Sequence, residues 1–368
     1  MMSNNFRTKF LQLFLLFTIS LGFAAKASED TDSTEKKFDI SSMIFHHIGD
    51  SHDWHFATIG HTELSLNLPV IFYSADRGLE VFSFSKLKTA HGSHEAVEYA
   101  GYSTDHHGKI ISLDPNREFF AFMAPAHGHS NPGATKVFNL SITKNIASLF
   151  LSVAILFAVF FSVSAGYKKR KGAAPTGIQS FFEPIIVFIR DDIALPNIGK
   201  RYERFLPYLL TVFFFIWFNN LLGLVPGGAN LTGNIAVTLS LAVVTLIITN
   251  VSGNKGYWMH ILWTPGIPMW LRPIMLPVEL VGILSKPFSL MVRLFANITA
   301  GHVIILSLLG LTFIFKSVFV GVAATLFSTV MSLLELFVAI LQAYVFTLLS
   351  AMYFGQAVAE HEHHDDHH

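Results

Sequence analysis

Residues 294–315 contain no Asp, Glu, Lys or Arg, and comparable uncharged runs cover 145–167, 205–226 and 235–251. Each approaches or reaches the ~20 apolar residues that cross the ~30 Å hydrocarbon core of a bilayer. Backbone groups there have no water to bond, so such runs satisfy themselves as helices. With 52% hydrophobic and 14% charged residues, most of the chain reads as an all-α polytopic membrane protein.

The same composition excludes several classes. The formal net charge is zero, so there is no electrostatic footprint for nucleic acid. The absence of cysteine removes disulfides, thiolate metal sites and cysteine nucleophiles. No phosphate-binding glycine loop is present, and no nucleotide or other cofactor is expected.

The first residues read as a secretory signal peptide, 1–27. Arg7 and Lys9 form a short basic region, 10–23 an apolar stretch too short for a comfortable span, and Ala25-Lys26-Ala27 a small-x-small cleavage site. Residues 28–135 are polar enough for a water-exposed, His-rich extracytoplasmic domain. Within it, 63–73 and 79–84 alternate apolar and polar side chains with the period of a half-buried strand, so a small β-containing domain is expected. Its histidines, among them His46, His47, His52, His55, His61, His106 and His107, follow no recognised ligand spacing and are read as solvated, with no metal.

Residues 136–359 form the membrane domain, followed by a His-rich tail, 360–368. The first span ends at Lys168-Lys169-Arg170-Lys171, which the positive-inside rule assigns to the cytoplasm. Residues 176–204 place Ile178, Phe181, Phe182, Ile185, Ile186, Ile189 and Ile193 at helical spacing, as expected of an amphipathic helix lying in the interface, with Pro184 as a dissonant element. The spans at 205–226 and 235–251 then return outward and inward, leaving 252–273 and the C-terminus on the cytoplasmic side.

Two longer apolar segments follow, 274–315 and 317–359. As continuous helices each would measure about 63 Å at 1.5 Å per residue, about twice the hydrocarbon thickness. Each is therefore either two short elements or one steeply tilted arm of a hairpin, and periodicity leaves both open. In all, five membrane helices plus the interfacial helix are expected.

Arg293 lies inside the first of these segments. A guanidinium stays protonated, and at membrane depth it costs about 2.5–3.5 kcal/mol on the lower scales and ~10 or more on the higher. In a helix, Glu279, Lys286, Arg293 and Asn297 are seven, seven and four residues apart, and Ser289 is four before the arginine, so all share one stripe. His302 is half a turn round from Arg293. On the second segment Glu335 and Gln342 share a face, giving two aligned polar faces, the pattern of a proton path. Lys286, ahead of Pro287, is expected to snorkel to the cytoplasmic interface as an anchor. An ion-coupled secondary transporter is the rival reading, although no internal repeat supports it.

The run 284–301, with Arg293-Leu294-Phe295-Ala296-Asn297 at its centre, and Leu341-Gln342-Ala343-Tyr344-Val345-Phe346 downstream closely resemble subunit a of rotary F-type ATP synthases. The resemblance covers about 135–359. It implies a stator subunit in a bacterial inner membrane, held against a rotating ring of c subunits and the peripheral-stalk b subunits, with two offset proton half-channels and a last pair of long, tilted helices. By position, Arg293 matches the essential ring-facing charge, and Asn297 and Gln342 the polar residues beside it. Glu279 and Ser289 match the cytoplasmic half-channel. His302 and Glu335 match a coupled imidazole and acid in the outer half-channel, in the opposite order from some members, and Asn220 an asparagine lining that entry.

Overall fold

The computed structural model describes residues 49–59, 62–87, 97–105, 109–120, 134–170, 174–225, 228–263, 268 and 272–359. The signal peptide, the tail and His46, His47, His61, His106 and His107 lie outside the described residues. Two compact units divide the chain: residues up to Leu149 with Val225–Ala229, and Phe150–Leu224 with the residues from Asn230 onward.

The first unit holds the strands. Strand β1 (Asp53–Ile59) pairs antiparallel with β2 (Thr62–Asn67). A four-stranded sheet runs β4 (Gly78–Ser83), β3 (Pro69–Ser74), β8 (Thr135–Asn139), β7 (Arg117–Phe119), and β5 (Tyr102–Thr104) pairs with β6 (Ile110–Ser112). The alternating segment 63–73 is thus two strands in different sheets, parted at Leu68. Period-two alternation carries on across such a break, so the pattern alone does not reveal it. Strands β3 and β4 form a hairpin whose turn ends at Gly78, where φ is +71°, a value favouring glycine. Their inward residues Val70, Phe72 and Phe82, with Val137 of β8, make a core with Phe84, Leu87, Tyr102 and Ile110. Among the described residues no group of three His, Asp or Glu is placed to hold a metal ion.

One polar network lies at the edge of that core. Buried Arg117 donates from Nε and Nη2 to the Asp76 carboxylate at 2.9 and 3.0 Å, from Nη1 to the Tyr102 hydroxyl and from Nη2 to Ser74 Oγ. The Tyr102 hydroxyl in turn donates to Glu80 Oε2 at 2.7 Å. Burial and the neighbouring Glu80 push the Tyr102 phenol up to about 12. The Arg117 guanidinium holds the Asp76 carboxyl well below its ordinary range. A carboxylate depressed in this way stabilises the unit above its unfolded pKa of ~3.9, and that contribution disappears as pH falls through the folded value. Asp76→Asn is therefore expected to lower the thermal midpoint of this unit at neutral pH and to weaken its acid sensitivity below about pH 4. Near-UV circular dichroism of the full chain would read both, and an unchanged acid limb would show that Asp76 does not carry it.

The helices begin with α1 (Lys144–Lys169), whose last residues, Lys168 and Lys169, open the basic cluster. Next comes α2 (Ile178–Phe188), running without a chain break through a wide π turn (Ile189–Ala194) and two short turns into α3 (Tyr202–Leu224). Helix α4 (Ile235–Val251) bends by 104° into α5 (Lys255–Leu262). Two long helices close the chain, α6 (Arg272–Phe315) and α7 (Val318–Val358), separated at Lys316 with φ of +45°. Among the described residues, four helical stretches are long and apolar enough to cross a membrane, or five if the bent α4–α5 pair is one span. The chain is a polytopic, mainly helical membrane protein with a β-containing N-terminal region.

Two features differ from the expectations or resolve them. The apolar face of 176–204 is divided: Phe182, Ile189 and Ile193 are buried with α3, whereas Ile178 and Phe181 stay exposed. Each long segment is a single helix of 44 or 41 residues, even though α6 contains Pro277 and Pro287. In a membrane helix the backbone groups freed by proline are satisfied by neighbouring helices and local adjustment, so proline is a weaker breaker there than in water.

The second unit packs α3 against α7. Phe205 stacks on Phe354 with ring centroids 4.8 Å apart, and Phe346 and Phe354 join Leu209, Phe213 and Phe214 in one core. Small residues on α7, including Ala339, Ala343, Ser350, Ala351 and Gly355, allow this approach, since lipid supplies no hydrophobic drive between helices and packing must. At Gly355 a Cβ would collide with the backbone carbonyl of Asn197, which cannot swing away as a side chain does. Gly355→Val is expected to destabilise this unit by about 1–3 kcal/mol, the usual range for overpacking. A lowered midpoint in detergent would show it. Gly282→Val, where a Cβ meets nothing within 4 Å, serves as the control.

Candidate functional site

Helix α6 has two unlike sides at the level of Arg293. Leu290, Met291, Leu294 and Ile298 are buried against the unit, while Ser289, Arg293 and Asn297, spaced by four, are exposed on the other side beside Phe288 and Val292. No carboxylate within 4 Å bridges Arg293, and it makes no hydrogen bond, among the described residues. The guanidinium thus stands exposed, with none of its five donors in a hydrogen bond among the described residues.

Half a turn round, His302 points into the unit. Its Nδ1 lies 3.3 Å from Oε1 of Glu335 on α7, and the Glu335 side chain is only 4% exposed. Neither Glu335 oxygen has a hydrogen bond of good geometry, so a buried acid sits beside an imidazole with most of its bonding capacity unused. Gly301 makes this possible, because a Cβ at that position would be 2.7 Å from Glu335 Oε1. A turn further along α7, the Ala339 carbonyl accepts from Asn220 Nδ2 at 3.2 Å, and Asn220 Oδ1 accepts from Thr232 Oγ1 at 2.7 Å. Asparagine suits this junction because one side chain both donates and accepts, joining α3, the 231–233 turn and α7. Gln342 lies buried two turns from Glu335 on the same face, which also carries buried Ser328 and Ser332.

The two polar faces expected from spacing therefore differ in kind. The α6 stripe of Ser289, Arg293 and Asn297 is open, whereas the α7 stripe of Glu335 and Gln342 is buried. Glu279 is half-buried near the start of α6. Lys286 donates to Gln356 Oε1 on α7 at 2.9 Å, and its Nζ is 5.1 Å from the Tyr353 ring centroid, so it ties the two long helices together.

Sequence reasoning missed a second polar cluster. Thr245, Thr249, Tyr257, Lys286 and Tyr353 line a cavity of about 10 Å³ between α4, α5, α6 and α7, the room for about one water molecule. The Tyr208 hydroxyl is 2.7 Å from Thr245 Oγ1 at its wall. The signal was present in α4, where Thr238, Thr245 and Thr249 are seven and four residues apart on one buried face.

Residues 146–355 match the family model described as ATP synthase A chain, and residues 43–131 match a second model, a domain of unknown function. The chain is 50% identical over 237 residues to ATP synthase subunit a 2 of Chlorobaculum tepidum, covering 62% of this chain and 67% of that one. It is 42% identical over 306 residues to ATP synthase subunit a 2 of Prosthecochloris aestuarii, covering 80% and 90%. With ATP synthase subunit a of Myxococcus xanthus it shares 45% identity over 249 residues, 66% of this chain and 81% of the relative. Nothing in the structure or these relatives favours a secondary transporter. The match over residues 146–355, with these relatives, makes this chain a member of the subunit a family of F-type ATP synthases.

Proposed function

We propose that this chain is the stator subunit that carries protons past a rotating ring of c subunits and so couples proton flow to ATP synthesis. The observation that carries the reading is Arg293: a permanent charge, unpaired within the described residues, on an apolar helix face. A charge so placed calls for a carboxylate from outside the chain. A ring carboxylate crossing lipid travels protonated, since ionisation there is costly. Beside Arg293 the fixed positive charge favours its ionised form, so the proton is released there and cannot short-circuit past it.

The remaining residues fall into two paths. Asn220, His302 and Glu335 form the outer half-channel, a buried line of donors and acceptors ending in a group that binds a proton. Glu279 and Ser289 line the cytoplasmic half-channel, and Asn297 and Gln342 flank Arg293. With the basic end of α1 in the cytoplasm, the α4–α5 pair counted as a span and five crossings in all, the strand-bearing unit is periplasmic and the C-terminus cytoplasmic. The signal peptide at 1–27, the inner-membrane location and attachment to peripheral-stalk b subunits complete the proposal.

Purification of the tagged chain in native lipid tests it. A ring of small subunits, each with a mid-membrane carboxylate, must accompany the chain, and vesicles bearing the complex must make ATP from an imposed proton gradient. A chain that purifies without such a ring, yet conducts a substrate, would return the transporter reading.

A further inference from the structure

The four-stranded sheet of the first unit has two apolar faces, and among the described residues only one is covered. Across its outer face the register places Val81 beside Ile71 and Leu79 beside Tyr73, with Phe138 on the far side of Tyr73. The Leu140 amide donates to the Ile71 carbonyl at 2.9 Å, which extends the pattern by one row. Leu79, Val81 and Leu140 are 64, 59 and 61% exposed, well beyond isolated surface apolar residues.

Three rows follow one another away from the start of α1. Nearest is Val81, Ile71 and Leu140, purely aliphatic. Next is Leu79, Tyr73 and Phe138, aromatic and carrying one hydroxyl. Phe120 packs on Phe138 at 5.1 Å in that same row, and the row beyond holds Lys136, its Nζ 5.7 Å from the Phe120 ring, opposite Glu118. That order, aliphatic then aromatic then charged, follows the change from acyl chains to headgroups at a bilayer surface.

The sheet is also held where such a surface must be. Only Leu140, Ser141, Ile142 and Thr143 separate β8 from α1, and they are not a loose linker. The Ile142 amide donates to the Pro69 carbonyl, and the Lys144 amide to the Ser51 carbonyl at 2.8 Å. Leu140 thus stays within about 14 Å of the first residue of a membrane helix, the most that four residues can span. The first turn of α1 belongs to the same compact unit as the sheet.

We propose that this face of the sheet lies on the surface of the membrane that α1 enters, with the Val81–Ile71–Leu140 row reaching the boundary between headgroups and acyl chains. The proposal rests only on α1 crossing the membrane and is independent of the proton path, so either can fail alone.

The chain has no cysteine, so single-cysteine labelling needs no background removal. An environment-sensitive fluorophore is placed in turn at Leu79→Cys, Val81→Cys and Leu140→Cys in the full chain within the assembled complex, in lipid vesicles. Lys109→Cys, exposed next to Ile110 in the layer that covers the opposite face, is the control. Lipids with a nitroxide near the headgroup end of the acyl chain should quench the three labels at least about twofold more than the control, because an interfacial face is buried ~5–10 Å into that zone. Iodide in the water should quench the control most. Three positions are read separately, so one poorly folded variant does not decide the result. Iodide quenching of all four labels alike would place the face in water and overturn the proposal. Protection of the three labels from both quenchers would also overturn it, by showing another protein surface there.

Discussion

Arg293→Ala is expected to reduce proton-driven ATP synthesis by at least about a hundredfold, the scale on which a fixed charge or donor at a reacting centre acts. Assembly should be unaffected. The side chain is exposed and no hydrogen bond or ion pair in the described residues depends on it, so its removal leaves the packing of Leu290, Leu294 and Ile298 in place. Arg293→Lys should recover only a fraction, because an ammonium is a hydrated point charge without the planar fork and loses its proton more readily when desolvated. Synthesis rates in sealed vesicles, with subunit content checked by gel, separate loss of coupling from loss of assembly. Near-normal synthesis by the alanine variant would remove the ring-facing role.

The second large effect belongs to His302 and Glu335. With Nδ1 and Oε1 3.3 Å apart and Glu335 otherwise without a well-formed hydrogen bond, the pair forms one proton-binding unit rather than two separate groups. Glu335→Ala and His302→Ala are each expected to slow proton entry at least about tenfold, below the usual range for losing a proton-transfer group because the partner remains. Exchanging them, His302→Glu with Glu335→His, should recover part of what His302→Glu alone loses, since one acid and one imidazole are again opposed beside Gly301. Proton-pumping rates across the four variants make a double-mutant cycle, and contacting residues typically couple by about 0.5–3 kcal/mol. Strictly additive losses would show that the two do not act as a pair.

Much of this site was legible in sequence because a helix repeats locally. Half-turn opposition of Arg293 and His302 follows from nine residues at 100° each, and the structure gives them opposite surroundings. The boundaries of α4 coincide with the apolar run 235–251, because Asn234 caps its start and Ser252-Gly253-Asn254 ends it, both local signals. What was not legible depends on distant parts of the chain. Whether 274–315 was one helix or two turned on partners that satisfy the backbone near Pro277 and Pro287. The path from α2 into α3 through a π turn depends on Ile189 and Ile193 finding a core made by later helices. The Asn220 junction with Ala339 links residues 119 apart, and no local pattern announces a contact to a backbone carbonyl. In the strand-bearing unit, β7 pairs parallel with β8 although residues 120–134 lie between them, a pairing that alternation within either strand leaves unspecified.

The central claim is that the exposed Ser289–Arg293–Asn297 face meets the ring. Disulfide trapping reads it directly, because this chain contributes no cysteine of its own. Asn297→Cys is combined with a single cysteine one helical turn from the ring carboxylate, and buried Ile298→Cys, 2% exposed on the neighbouring position, is the control. The account predicts a cross-link from Asn297→Cys that stops ATP-driven proton pumping until it is reduced, and none from Ile298→Cys. Cross-linking from Ile298→Cys instead, or quenching of a fluorophore at Asn297→Cys by lipid-borne nitroxides in the assembled complex, would contradict it.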